Sequence, residues 1–166
     1  MPYSELIIAG IAPGEIEFTS ETYGSYNVTR IERWIQESKL LPTKVVLERE
    51  NLKKLLANID IDQKRVEELL LDFIETDKLP DKPLIAVEVH DGDPLVIDGH
   101  HRMYLNLQLD IFHADIHIVP MDIANSFKIV YMERDPKTGN TRAVDPVKLL
   151  LSSFGKYTDS KGNPRQ

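Results

Sequence analysis

The chain has 166 residues, 42% apolar and 28% charged, the balance of an ordinary globular protein, which excludes wholesale disorder and a fibrous class. Against 27 Asp and Glu it sets 20 Lys and Arg, a formal charge of −7 that argues against a protein built to grip duplex DNA, though a local basic patch is compatible with it. Cysteine is lacking, which removes disulfides, thiolate zinc sites and cysteine nucleophiles together.

Leu6 to Ala12 is an apolar run too short to span a bilayer, and Glu5 stands where a signal peptide carries basic residues. A cytoplasmic protein with no membrane partner is therefore expected. Pro13-Gly14 reads as a turn, and Glu15-Ile16-Glu17-Phe18 alternates with the period of a short strand. Asn27 can cap a helix on which Val28, Ile31 and Ile35 share one face, extended by Trp34 and ending before Pro42. Lys44 to Leu47 reads as a strand, and Leu52, Leu55 and Leu56 mark a short helix ending near Asn58. Asp62 can cap the clearest helix in the chain. There Val66, Leu69, Leu70, Phe73 and Ile74 form a core-facing stripe at i, i+3, i+4, i+7 and i+8, stopped by Leu79-Pro80.

Leu84 to Val89 and Leu95 to Ile97 are strands joined by the turn Asp91-Gly92-Asp93-Pro94, and they should pair as a hairpin. Asp98-Gly99 ends the second strand, a helix runs from about His100 to Leu109, and Ile116 and Ile118 flank His117 in a strand closed by Pro120. Phe127 to Met132 and Thr141 to Val144 form another expected hairpin around Lys137 to Asn140, after which Asp145-Pro146 can open a last helix through Leu151. Strands and helices mixed in this way give an α/β (α+β) fold.

The turn Asp98-Gly99-His100-His101-Arg102 carries the chemistry. Gly99 permits a sharp bend, and the next three residues stand in the first turn of a helix, where backbone N–H groups and the helix dipole attract anions. Arg102 can grip phosphate with two hydrogen bonds, and His100 and His101 can donate to phosphoryl oxygens. Asp98 is the one anion of the turn. A carboxylate beside phosphate makes sense if it binds Mg²⁺ or accepts a proton from an attacking hydroxyl, which is a phosphotransferase arrangement. The plainer alternative is a simple turn, with the histidines as surface caps and Arg102 paired with a nearby acid. Among His90, His100, His101, His113 and His117 no pair has a metalloprotease or zinc-finger spacing, and His113 and His117 straddle the start of the predicted strand.

The same residues resemble the ParB/sulfiredoxin superfamily, and within it the free serine kinases, whose signature is a strand running into Asp-Gly-His-His-Arg. The resemblance extends over roughly Val45 to Pro120: the helix Lys64 to Thr76, Lys82-Pro83-Leu84-Ile85, Leu95 to Arg102, and Ile116-His117-Ile118-Val119-Pro120. It implies a small mixed sheet with flanking helices. The organisation expected on that basis is one domain over 1–151, with an N-terminal extension, a core of about 43–120, a C-terminal hairpin and helix, and a flexible tail over 152–166. The family implies Gly99, His100, His101 and Arg102 as nucleotide-phosphate ligands, Asp98 as catalytic residue and Mg²⁺ ligand, and ADP, ATP or CTP as the nucleotide, with a small hydroxyl-bearing acceptor. Free serine kinases also use a glutamate before the helix that begins near Asp62. Asp60 stands in its place here with a shorter side chain, and Glu48 is the fallback. Sulfiredoxin chemistry is excluded by the lack of cysteine. ParB partition proteins bind CTP and add a helix-turn-helix domain, whereas the residues after Pro120 read as a hairpin and one helix. The alternatives to a kinase are thus a CTP-binding switch module without turnover and a ParB-like nuclease.

Overall fold

A computed structural model of the chain describes residues 5–57, 61–78 and 82–144. In chain order the described elements are β1 (Glu5–Ala9), β2 (Glu17–Ser20), β3 (Gly24–Asn27), α1 (Val28–Ser38), β4 (Thr43–Val46), α2 (Arg49–Leu56) and α3 (Gln63–Thr76). There follow β5 (Leu84–Val87), β6 (Leu95–Asp98), α4 (His100–Gln108), β7 (His113–Val119), α5 (Met121–Ser126), β8 (Lys128–Arg134) and β9 (Thr141–Val144). Strands and helices are thus mixed, as the sequence leads one to expect. The predicted final helix and tail lie outside the described residues. Among the described residues no helix is long and apolar enough to cross a membrane.

The chain divides into two compact units, one holding the described residues of Met1–Ile31 and Asp122–Gln166, the other those of Glu32–Met121. The stretch 43–120 set apart by the sequence lies within the second.

In the first unit the sheet order is β1-β8-β3-β2, with β9 also on β8, and every pairing is antiparallel. Asn27 caps α1 by accepting from the Arg30 N–H at 3.0 Å, and its side-chain amide donates to the Gly10 carbonyl and to Glu15. Val28, Ile31 and Ile35 are buried, the face that their spacing predicts.

The second unit holds a mixed sheet in the order β4-β7-β5-β6, in which β5 and β7 are parallel and the other pairs antiparallel. β5 is an unbroken apolar run, Leu84-Ile85-Ala86-Val87, and all four residues are buried, as a strand covered on both faces requires. Leu52 and Leu56 of α2 and Met103 of α4 pack with Leu84, Ala86, Val96 and Ile116 of the sheet into its core. β5 and β6 form the expected hairpin. Its register shifts between Ile85, opposite Asp98, and Ala86, opposite Val96, which leaves Ile97 as the extra residue of a bulge beside the critical turn.

Helix α3 is capped by Asp62, whose carboxylate accepts from the Lys64 N–H, and it ends on Asp77 in the left-handed conformation. Its stripe faces the core only in part. Val66 and Leu69 are buried, whereas Ile74 is 65% exposed, contrary to the core-facing expectation. α3, with 14 residues, packs on the shorter α4, with 9, and its buried residues are those of its first half.

Candidate anion-binding site

Gly99 makes the site possible. It follows β6 and precedes α4 at φ 99° and ψ 16°, a conformation strained for any L side chain, and a Cβ there would stand 2.2 Å from Leu84 Cδ2 and 3.0 Å from Arg102 Nη2. Gly99, the N-cap of α4, has no side chain with which to cap it, so the N-terminal end of that helix keeps its attraction for an anion.

Beside the turn lies a cleft of about 240 Å³, lined by Arg65, Leu69, Lys82, Asp98, Gly99, His101 and Arg102. Asp98, Gly99, His101 and Arg102 of the predicted turn therefore come together around one space. His100 does not line it. Its ring is buried, and burial lowers its pKa from the usual histidine range, partly offset by a backbone hydrogen bond at Val96 and by the Asp98 charge. Asp60 lies outside the described residues, and Glu48 is not among the lining residues.

The side chain of Arg102 is largely engaged within the protein. Nη1 donates to the Lys82 carbonyl and, at 3.1 Å, to that of Pro83, while Nη2 lies 3.3 Å from Asp98 Oδ2. Only 14% of the side chain is exposed, and burial lowers the guanidinium pKa against the support of Asp98 and Glu32. Arg102 thus has the acid partner of the plainer reading while still lining the cleft. His101 also reaches another element, its Nε2 accepting from the Asp62 backbone N–H at 3.1 Å.

Arg65 and Lys82 are cleft residues that the sequence did not single out. Arg65 is presented by α3 as it packs on α4, and it pairs with Glu68 at 3.5 Å on its own helix. Lys82 stands just ahead of β5 and pairs with Glu32 at 2.6 Å. Among the described residues three cations thus line the cleft with one carboxylate, in a chain that is acidic overall.

Among the described residues no group of three or more His, Asp or Glu side chains gathers to hold a metal ion. Both His113 and His117 lie within β7, not astride its start, and four strand residues put them about 13 Å apart, too far to share an ion. Mg²⁺ in nucleotide sites needs only one or two protein carboxylates plus phosphate oxygens, so Asp98 fits a metal carried in by a nucleotide but makes no metal cage of its own.

Comparison of the chain with protein-family models, with curated proteins and with solved structures gives no match.

Proposed function

We propose that this is a cytoplasmic nucleotide-binding protein that holds phosphate in the cleft before α4 and transfers a phosphoryl group to a small hydroxyl-bearing acceptor. The observation that carries this reading is the gathering of Arg65, Lys82 and Arg102 with an uncapped helix start around one cleft. Whole-ligand pockets usually run to about 300–1,000 Å³, so a cleft of about 240 Å³ suits the phosphates of ADP, ATP or CTP and leaves the base outside it.

In the transfer the acceptor oxygen bonds to phosphorus as the bond to the leaving nucleotide oxygen breaks, and the hydroxyl proton goes to Asp98. Arg65 and Lys82 bind the phosphates, and Arg102 steadies Asp98. A bound Mg²⁺ supplies neutralisation of phosphate charge, with Asp98 as its protein ligand. The pairing of Asp98 with Arg102 favours a second reading, a nucleotide-binding switch without turnover, since the carboxylate is already engaged within the protein.

A thermal-shift series with ADP, ATP, CTP and GTP, with and without Mg²⁺, tests binding, because a ligand that binds only the folded state raises its melting temperature. Turnover with a panel of hydroxyl acceptors, free serine included, then separates the two readings. For a catalytic Asp98, Asp98→Asn abolishes transfer and leaves nucleotide affinity similar or tighter. Full activity in that variant removes Asp98 from the chemistry, and binding with no turnover by the parent supports the switch.

A further inference from the structure

His101 lines the cleft and at the same time joins two helices. Its Nε2 accepts from the Asp62 backbone N–H at 3.1 Å, and Asp62 is the N-cap of α3, its carboxylate already accepting from the Lys64 N–H. An imidazole nitrogen that accepts carries no proton, so the ring is neutral with its proton on Nδ1. Phosphate oxygens are acceptors, so they need a donor from Nε2. One nitrogen cannot accept from Asp62 and donate to phosphate together.

We propose that His101 is a latch worked by the phosphate ligand. When phosphate enters, Nε2 takes a proton from solvent, changes from acceptor to donor, engages a phosphate oxygen and releases the Asp62 N–H. The proposal rests on the phosphate reading of the cleft. Arg65 of α3, Lys82 ahead of β5 and Arg102 of α4 are the cations that share the cleft with the ring; Asp98 is the opposing carboxylate, with His100 adjacent on the helix and Asp62 at the cap of α3. No charged residue of α2 is among the lining residues. A phosphate oxygen in the cleft can only accept, so it calls for a donor on Nε2 where the Asp62 N–H calls for an acceptor. Two consequences follow: binding takes up a proton, so affinity falls as pH rises, and the first turn of α3 loosens when the cleft fills.

The test reads the ring nitrogens of His101 by ¹⁵N chemical shift in the full chain near neutral pH, with and without ADP. Alongside it runs His101→Gln, whose side chain offers Asp62 an acceptor but takes up no proton. Without ADP the expected shift of Nε2 is that of an unprotonated nitrogen. Saturating ADP should bring both ring nitrogens to protonated shifts and speed exchange of the Asp62 amide by about tenfold, the loss of one ordinary hydrogen bond. ADP affinity should fall with rising pH in the parent more than in His101→Gln. A protonated Nε2 in the ligand-free protein, or unchanged ring shifts with ADP bound, overturns the latch alone. Failure of both ADP and inorganic pyrophosphate to bind overturns the phosphate reading and the latch with it.

Discussion

Arg102 and Asp98 stand four residues apart across Gly99 and form an ion pair, with 3.3 Å between Nη2 and Oδ2. The same guanidinium holds the Lys82 and Pro83 carbonyls, so it fastens the segment ahead of β5 to the start of α4. Arg102→Ala is expected to cost about 2–3 kcal/mol of stability, the worth of hydrogen bonds from a charged donor, and to weaken ADP binding as well. Arg65→Ala, which removes an exposed cation, should weaken ADP about tenfold with an unchanged melting curve. Urea unfolding and calorimetric titration of both variants check the pair. An Arg102→Ala protein as stable as its parent would show that the tether contributes nothing.

Gly99→Ala combines a positive φ with a Cβ placed on the buried Leu84 side chain. Leu84 can turn aside, but the backbone strain stays. A loss of about 2–4 kcal/mol is expected from the two effects, measured by urea unfolding. The companion variant Gly139→Ala, also at positive φ but with open space around the added atom, should lose less.

Glu15 in the first unit has its pKa lowered from 4.5 to about 2, chiefly by the side-chain hydrogen bond from Arg30, with the Ala12 N–H and Asn27 amide adding to it. A carboxylate with a depressed folded-state pKa contributes stability that is fully present above its unfolded value and is lost as pH falls through the folded one. Glu15→Gln should therefore be less stable than the parent at neutral pH, and the gap should close between pH 4.5 and about 2. Denaturant midpoints across that range decide the matter. A gap independent of pH would mean that the carboxylate charge is not what stabilises the loop.

Elements whose signals are local were legible. The run from Leu95 into Gly99 and the helix after it announce strand, turn and helix within a few residues, and the period of Val28, Ile31 and Ile35 names the buried face of α1. β1 was not legible: its partner β8 lies at the other end of the chain, and its exposure pattern does not alternate cleanly. The six-residue α5 is too short to establish a period. At the site, adjacent helical residues point about 100° apart, so His100 turns in with Met103 while His101 faces the cleft, and the motif alone does not separate them. Arg65 and Lys82 belong to the cleft only because α3 and the segment before β5 come to rest beside α4, which no run of neighbouring letters encodes.

The pairing of Ile7 with Met132 sets an order of events during folding. The strands and helices within Glu32–Met121 are contiguous in sequence, so they can find one another as soon as that stretch has left the ribosome. β1 is made among the first residues of the sequence yet must wait, its edge unsatisfied, until β8 is synthesised, and closing so long a loop costs entropy that only the finished sheet repays. The cleft before α4 belongs to the contiguous part, and the long-range closure of β1 on β8 belongs to the other.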